Sequence, residues 1–264
     1  MPGPPELSAR AVALKPSLTL AIAAQAKALK NAGRDICSLS AGEPDFDTPD
    51  FIVEATRKAL RDGITRYGPA AGEPELRAAV AEKLSSTNGI ATTSEQILIT
   101  NGGKQAIYNL FQVLLNPGDQ VLLPAPYWLS YPEMAALAGA EVKLIPTQAE
   151  GGFQLDINAL EAAITPRTRL LVLNTPGNPT GRVMPRQELE AVAEMVRRHP
   201  QLLVMSDEIY EFLLVEGEQH HSFAAIAPDL ADRCFTVNGF AKGWAMTGWR
   251  LGYLAGHQDV IKAA

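Results

Sequence analysis

The chain has 264 residues, 47% hydrophobic, 20% charged and 6% aromatic, a balance that suits one large core-bearing domain or one and a half and excludes disordered or collagen-like chains. Lys and Arg number 23 against 29 Asp and Glu, so the formal net charge is −6. That argues against generic nucleic-acid binding but leaves room for a locally positive pocket.

In chain order, Ser17 to Ala32 reads as a helix stopped by Gly33, and Ile36 to Ser40 as a short apolar run. Pro49 to Arg61 is expected to be helical, with Pro in its first turn and Gly63 beyond its end. Glu73 to Thr87 is a further helix ending at Asn88-Gly89. From there short apolar strands alternate with helices. The expected strands are Ile97 to Thr100, Gln120 to Leu123, Val142 to Ile145, Leu170 to Leu173, Leu202 to Met205, Cys234 to Val237 and Leu251 to Leu254. The helices between them are Gly103 to Leu115, Tyr131 to Ala138, Ile157 to Ile164 and Pro185 to Arg198. Apolar strands alternating with helices specify an α/β domain with a mostly parallel, buried sheet. Such sheets bind ligands at the carboxyl ends of their strands.

Cys37 and Cys234 lie far apart with no CxxC, so zinc and redox motifs are excluded and a reducing, cytoplasmic setting is expected. The first residues lack the basic and apolar regions of a signal peptide, and no apolar run approaches the ~18 residues of a membrane helix. Dinucleotide, Walker A, zincin and nucleophile-elbow motifs are lacking, and His199, His220, His221 and His257 have no metal-ligand company.

Four windows carry unusual residues after expected strands. Thr100-Asn101-Gly102-Gly103-Lys104 opens a helix; it reads as a phosphate cradle or as a plain glycine turn. Ser206-Asp207-Glu208-Ile209-Tyr210 puts acids at the end of a buried strand. Asp207 there either holds a positive charge in a dry site or caps a helix. Asn174 to Gly181 holds two prolines and two glycines, a stiff turn able to aim Asn178 inward. Asn238 to Arg250 surrounds Lys242 with Gly, Ala, Phe, Trp and Met. Burial lowers a lysine pKa and leaves a nucleophilic amine; a snorkelling surface lysine is the other reading. An amine, an acid, an inward amide and a phosphate cradle together are what pyridoxal phosphate uses.

With Ala41-Gly42-Glu43-Pro44-Asp45-Phe46-Asp47-Thr48-Pro49, Thr100 to Ala106, Pro124-Ala125-Pro126-Tyr127-Trp128-Leu129-Ser130-Tyr131-Pro132, Asn174 to Gly181, Ser206 to Tyr210 and Gly239 to Gly252, the sequence resembles the class I, fold-type I pyridoxal-phosphate aminotransferases, especially bacterial aspartate and prephenate aminotransferases. The resemblance implies a three-layer α/β/α fold with a mostly parallel mixed sheet. Residues 1–45 would form an N-terminal arm and helix belonging to a small domain, and residues 46–264 the cofactor-binding large domain. It also implies an amino-group transfer between aspartate or glutamate, with prephenate or arogenate as further partners, and a 2-oxo acid by a ping-pong Schiff-base route. A lyase or decarboxylase of the same fold, or a fragment that only binds the cofactor, are the alternatives. A DNA-binding regulator built on this fold is disfavoured, because the match begins within the first twenty residues.

By the same resemblance, Lys242 is the Schiff-base lysine and proton carrier. Asp207 is the partner of the pyridine nitrogen, and Asn178 and Tyr210 are donors to the ring oxygen. Trp128 stacks on the ring. Gly103, Lys104 and Arg250 hold the phosphate, and Lys104 also lies where a distal substrate carboxylate binds. Tyr67 reaches the phosphate of a second subunit, which implies a homodimer with shared sites. Gly42 meets the substrate α-carboxylate. Lys15 matches a position tied to dicarboxylate use, or is a solvated flank of the first helix. Ala241 and Gly177 depart from the usual Ser before the lysine and Ser or Asn in the turn. Relatives continue past the fourteen residues that follow Arg250 by on the order of a hundred. A second, carboxylate-binding arginine and the small-domain segment are therefore expected to lie outside these residues.

Overall fold

The computed structural model describes residues 5–14, 18–39 and 42–264. Its helices are α1 (Ala9–Ala13), α2 (Leu18–Asn31), α3 (Asp50–Arg61), α4 (Pro74–Lys83), α5 (Gly103–Leu114), α6 (Ser130–Leu137), α7 (Ile157–Ala162), α8 (Arg186–Arg198), α9 (Phe223–Ile226) and α10 (Gln258–Ala263). The strands are β1 (Ile97–Thr100), β2 (Gln120–Ala125), β3 (Glu141–Pro146), β4 (Thr168–Asn174), β5 (Leu203–Asp207), β6 (Cys234–Gly239) and β7 (Gly252–Ala255). They form one sheet in the order β1-β7-β6-β5-β4-β2-β3. β2 to β6 pair in parallel, and β7 runs antiparallel between β6 and β1.

The apolar runs of the strands follow from burial on both faces. In β4, Leu170 and Val172 pack with α5 and α6, whereas Leu171 and Leu173 pack with α8. Successive strand side chains point to opposite faces, so only a continuous apolar run serves two helical layers. One layer holds α4, α7, α8 and α9; the other holds α5, α6 and α10. Three layers around a mixed, mostly parallel sheet match the fold that the resemblance implies, and its buried, parallel strands are those the alternation specifies. The helix expected over residues 73–87 is α4 continued by a wider turn at Leu84–Asn88, and Gly89 in the left-handed region ends it. Helices α1, α9 and α10 are too short to carry a periodic signal and were not foreseen.

The segment before Val80 is different: among the described residues none of its side chains is buried. Helix α3 has apolar and charged sides yet buries nothing. Both cysteines are free thiols, Cys37 exposed and Cys234 buried. Among the described residues no helix is long and apolar enough to cross a membrane.

Candidate active site

The β1–α5 turn brings a helix start against an arginine from far along the chain. Gly102 has φ +83°, and a Cβ there would lie 2.3 Å from Arg250 Nη2. A Cβ on Gly252 would lie 2.6 Å from the carbonyl carbon of Gly102 and the nitrogen of Gly103. Glycine is therefore demanded by the left-handed backbone at 102 and by close backbone approach at 252. Arg250 is itself left-handed, with φ 58°. Its guanidinium donates to Asn101 O at 3.2 Å and to Thr247 O at 3.0 Å. The first N–H groups of α5 are not used by the helix itself, and their positive potential adds to the guanidinium. The result is an anion cradle.

Lys104, in the first turn of α5, sets its ammonium 5.0 Å from the centre of the Trp128 ring. Trp128 follows β2 and meets Tyr131 edge to face, with ring centres 5.2 Å apart.

Asp207 ends β5 and is buried. Its Oδ2 accepts from Tyr131 Oη at 2.6 Å, and its Oδ1 from Ile209 N at 3.3 Å. The capping contact and the buried acid thus coexist in one side chain, although no helix follows, only a chain of tight turns. Burial pushes the carboxyl up to about 6, against the pull of the Tyr131 and Ile209 bonds; the neighbouring Glu208 charge adds a smaller upward push. Burial likewise raises the Tyr131 phenol, with the Asp207 charge adding to the effect.

Asn178 sits in the turn after β4. Its backbone N–H donates to Asn174 Oδ1 at 2.7 Å, and Asn174 Nδ2 donates to Asp207 O at 2.9 Å. That leaves Asn178 Nδ2 to donate to Tyr210 Oη at 3.0 Å. The proline-rich turn is thereby locked to the end of β5. A cavity of about 50 Å³ beside Asn178, lined by Tyr127, Tyr131 and Arg182 among others, has room for water but not for an aromatic ring.

Lys242 stands in tight turns after β6, with its ammonium 5.6 Å from the centre of the Tyr210 ring. It donates to Gly42 O, so the segment around Gly42 touches the amine. Burial lowers its pKa; Glu43 opposes that and Arg250 reinforces it. The same segment is fastened to the lysine loop by Thr48 Oγ1 donating to Ala245 O at 2.6 Å and Trp249 Nε1 donating to Thr48 Oγ1 at 3.1 Å.

The structure therefore gathers Lys242, Asp207, Tyr210 and Asn178 at the carboxyl edge of β4, β5 and β6, with Trp128, Gly103, Lys104 and Arg250 around them. Gly42 joins through its carbonyl. Tyr67 does not join: it is fully exposed. Lys15 lies outside the described residues. Tyr131 was missed as a site residue, although it stood in the proline-flanked window after β2. Its hydroxyl has no signature in a helix that otherwise reads as apolar. Among the described residues no group of three or more His, Cys, Asp or Glu could hold a metal ion.

The donor set fits pyridoxal phosphate: a half-buried amine, a buried acid, a paired amide and phenol, an aromatic face, and a cradle so close that Cβ atoms would fill it. Comparison with known proteins points the same way. The family model "Aminotransferase class I and II" matches residues 34–264. A bifunctional aspartate aminotransferase and glutamate/aspartate-prephenate aminotransferase of Petunia hybrida is 53% identical over 257 residues, 97% of this chain and 53% of that protein. An aspartate/prephenate aminotransferase of Thermus thermophilus is 52% identical, over 97% of this chain and 66% of the relative. Among solved structures, the Thermus thermophilus aspartate aminotransferase with maleate superposes with a TM-score of 0.94 at 50% identity, over 98% of this chain and 66% of that one. An aspartate aminotransferase from Rhizobium meliloti gives 0.93 at 39% identity. The chain thus spans between about half and two thirds of the length of these relatives. On this match, carried through the fold and nearly the whole length, the chain belongs to the class I and II aminotransferase family, whose members are pyridoxal-phosphate enzymes.

Proposed function

We propose that the protein transfers an amino group between an acidic amino acid and a 2-oxo acid, with aspartate or glutamate as donor and prephenate as a candidate acceptor. The observation that carries this reading is the convergence of the Lys242 amine, the Asp207 carboxyl and the Asn178–Tyr210 pair at one sheet edge. The names of the relatives support the choice of acidic substrates.

The chemistry that bound pyridoxal phosphate supplies is an aldehyde that condenses with amines and a ring that withdraws electrons. Lys242, its pKa lowered by burial, would hold the cofactor through its neutral amine, and that amine would carry a proton to and from the substrate α-carbon. Asp207, buried, would pair with the cofactor's ring nitrogen and keep it protonated, because a paired positive charge would relieve the cost of burying the carboxylate. Asn178 and Tyr210 donate to a ring oxygen. Trp128 covers one ring face. Gly103, Lys104 and Arg250 would hold the phosphate, and Lys104 is also read as a contact to a distal substrate carboxylate. Gly42, now accepting from Lys242, offers backbone to the α-carboxylate. Lys15 is read as a further dicarboxylate contact.

Residues 1–45 are read as an arm belonging to a small domain and 46–264 as the cofactor-binding domain. Tyr67, with no contact of its own in the monomer's core, is read as reaching the phosphate of a second subunit in a homodimer with shared sites. The exposure of Phe51, Leu60 and Ile64 in the same stretch of chain supports a covering surface there.

The test is an absorbance titration of the purified protein with pyridoxal phosphate, before and after aspartate. A visible band that appears with the cofactor and is lost with aspartate, with oxaloacetate released, is the expected result. A folded protein that develops no visible band overturns the reading. A band with ammonia or carbon dioxide as product replaces transfer by elimination or decarboxylation.

A further inference from the structure

Beside the site lies a second cluster of buried acids to which the reaction assigns no role. Along β5, Met205 and Asp207 face the layer of α5 and α6, so Ser206 and Glu208 face the opposite layer. The turns that follow keep this division. Tyr210 lies on the side of Asp207, whereas Glu208 and Glu211, both buried, turn to the back. Glu208 accepts from Ser206 Oγ at 2.8 Å, Ser222 Oγ at 2.6 Å and Phe223 N at 3.3 Å, and pairs with His220 Nε2 at 3.1 Å. Glu211 pairs with Lys83 at the end of α4 and accepts from Asn88 Nδ2 and Asn238 Nδ2, each at 2.8 Å.

Asn238 makes this cluster more than a scaffold. It lies in β6, four residues before Lys242, and its Oδ1 takes the N–H of Gly239 at 2.7 Å. One carboxylate, that of Glu211, thus holds the turn that carries Tyr210 and the strand end from which the Lys242 loop departs. A second link runs in parallel. The Lys83 ammonium lies 5.3 Å from the centre of the Phe212 ring. Phe212 packs edge to face on Trp244, with ring centres 6.4 Å apart. It also lies so close to Gly243 that a Cβ there would come within 2.6 Å of it. Burying Glu211 is costly unless it is paired and fully hydrogen-bonded, and here its partners tie the end of α4 and the turn after it to β6.

We propose that Glu211, with Lys83 and Asn238, is a positioning device that holds the Lys242 loop in register with the Tyr210 turn, and so sets the environment of the Lys242 amine without touching it. The proposal rests on the reading of Lys242 as the reactive amine, and its test is kept separate from that reading. In the full chain without cofactor, the pH dependence of Lys242 labelling by an amine reagent is followed by mass spectrometry. Wild type is compared with Lys83→Met, Glu211→Gln, Asn238→Ala and the conservative Lys83→Arg. Asn238→Ala keeps the ion pair and removes the β6 side of the device, the donation to Glu211 together with the acceptor for Gly239 N–H, so it decides the matter even where a charge change prevents folding. The expected result is a labelling rate at fixed pH that changes about three- to tenfold, half to one unit in midpoint, with Lys83→Arg close to wild type. With pyridoxal phosphate bound, the pH midpoint of the visible band moves in parallel. Folded Asn238→Ala and Lys83→Met proteins whose Lys242 profile superimposes on wild type overturn the proposal, whatever their melting temperatures. A wild-type chain with no visible band sinks the functional reading instead, while the labelling profiles still decide the positioning.

Discussion

The carboxyl edge of the sheet and the segment before Val80 are built on opposite terms. At the edge, Asp207, Glu208 and Asn238 are buried, and each hydrogen-bonds to a partner from another element. Before Val80 nothing is buried among the described residues; Phe51 is 66% exposed and Ile64 69%. The difference teaches where this chain's own contacts hold a geometry. The edge is over-determined by neighbours within the chain, and polar side chains there are aimed by burial. The earlier segment has an amphipathic helix, α3, that buries no side chain; it meets the Lys242 loop through an edge-to-face pair of Phe51 and Trp244, ring centres 6.3 Å apart, and leaves much of its apolar side open.

The largest effect sharpens the edge. Lys242→Ala should abolish the visible cofactor band and lower turnover by about 10²–10⁴-fold from lost proton transfer alone. Amine rescue with a small alkylamine measures that share. Turnover unchanged in Lys242→Ala would remove the lysine from the chemistry.

The next compares the regions directly. Leu122→Ala, in the fully buried sheet core, should cost about 2–5 kcal/mol in denaturant unfolding, whereas Phe51→Ala on α3 should cost less than about 1.5 kcal/mol in the monomer, the share of its edge-to-face pair with Trp244. A Phe51→Ala cost above about 2 kcal/mol that does not change with protein concentration would break the comparison, since it would mean that the chain's own core holds α3; a cost that grows with concentration would mean that a second subunit covers it.

Asp207 gives an effect of opposite sign. Burial raises its pKa from 3.8 to about 6, so the folded state binds this proton more tightly than the unfolded chain does. Ionised Asp207 therefore opposes folding. Its contribution is most favourable below pH 4, falls as pH rises towards 6, and stays unfavourable by about 3 kcal/mol above that. Asp207→Asn, without cofactor, should be more stable than wild type by up to that amount at pH 8, equal to it below pH 4, and poor in turnover. A less stable Asp207→Asn at pH 8 would mean that the folded protein already compensates the charge.

The smallest effect belongs to Tyr67. Tyr67→Phe should leave unfolding unchanged and weaken cofactor binding three- to tenfold, about 1 kcal/mol. An unchanged cofactor affinity would remove Tyr67 from the shared site.

Much of this was legible in the linear order of residues. Apolar runs bounded by Gly, Asn and Pro marked the strands because a sheet covered on both faces needs continuous apolar sequence. Glycine at 102 and 103 and the lysine at 242 stood out because a close backbone approach and an amine in apolar company each demand particular residue types. Tyr131, Glu211 and Asn238 were not legible as site or support residues. Their roles lie in partners 76, 128 and 27 residues away, for Asp207, Lys83 and Glu211 respectively. The turn after Asp207 also departed from a helical reading, because its hydrogen bonds close short turns.

The sequence by itself determined the strands and the longer helices, the sheet's largely parallel character and the residue types available at each strand end, since those follow from local periodicity and turn chemistry. Only the tertiary structure decided which of those residues meet. The antiparallel insertion of β7 carries Gly252 against Gly102 and Gly103, with Arg250 beside them. Alternation along β5 sends Asp207 to one layer and Glu208 to the other. Pairing between distant strands and burial of charge are properties of the assembled core, so no local stretch of sequence expresses them.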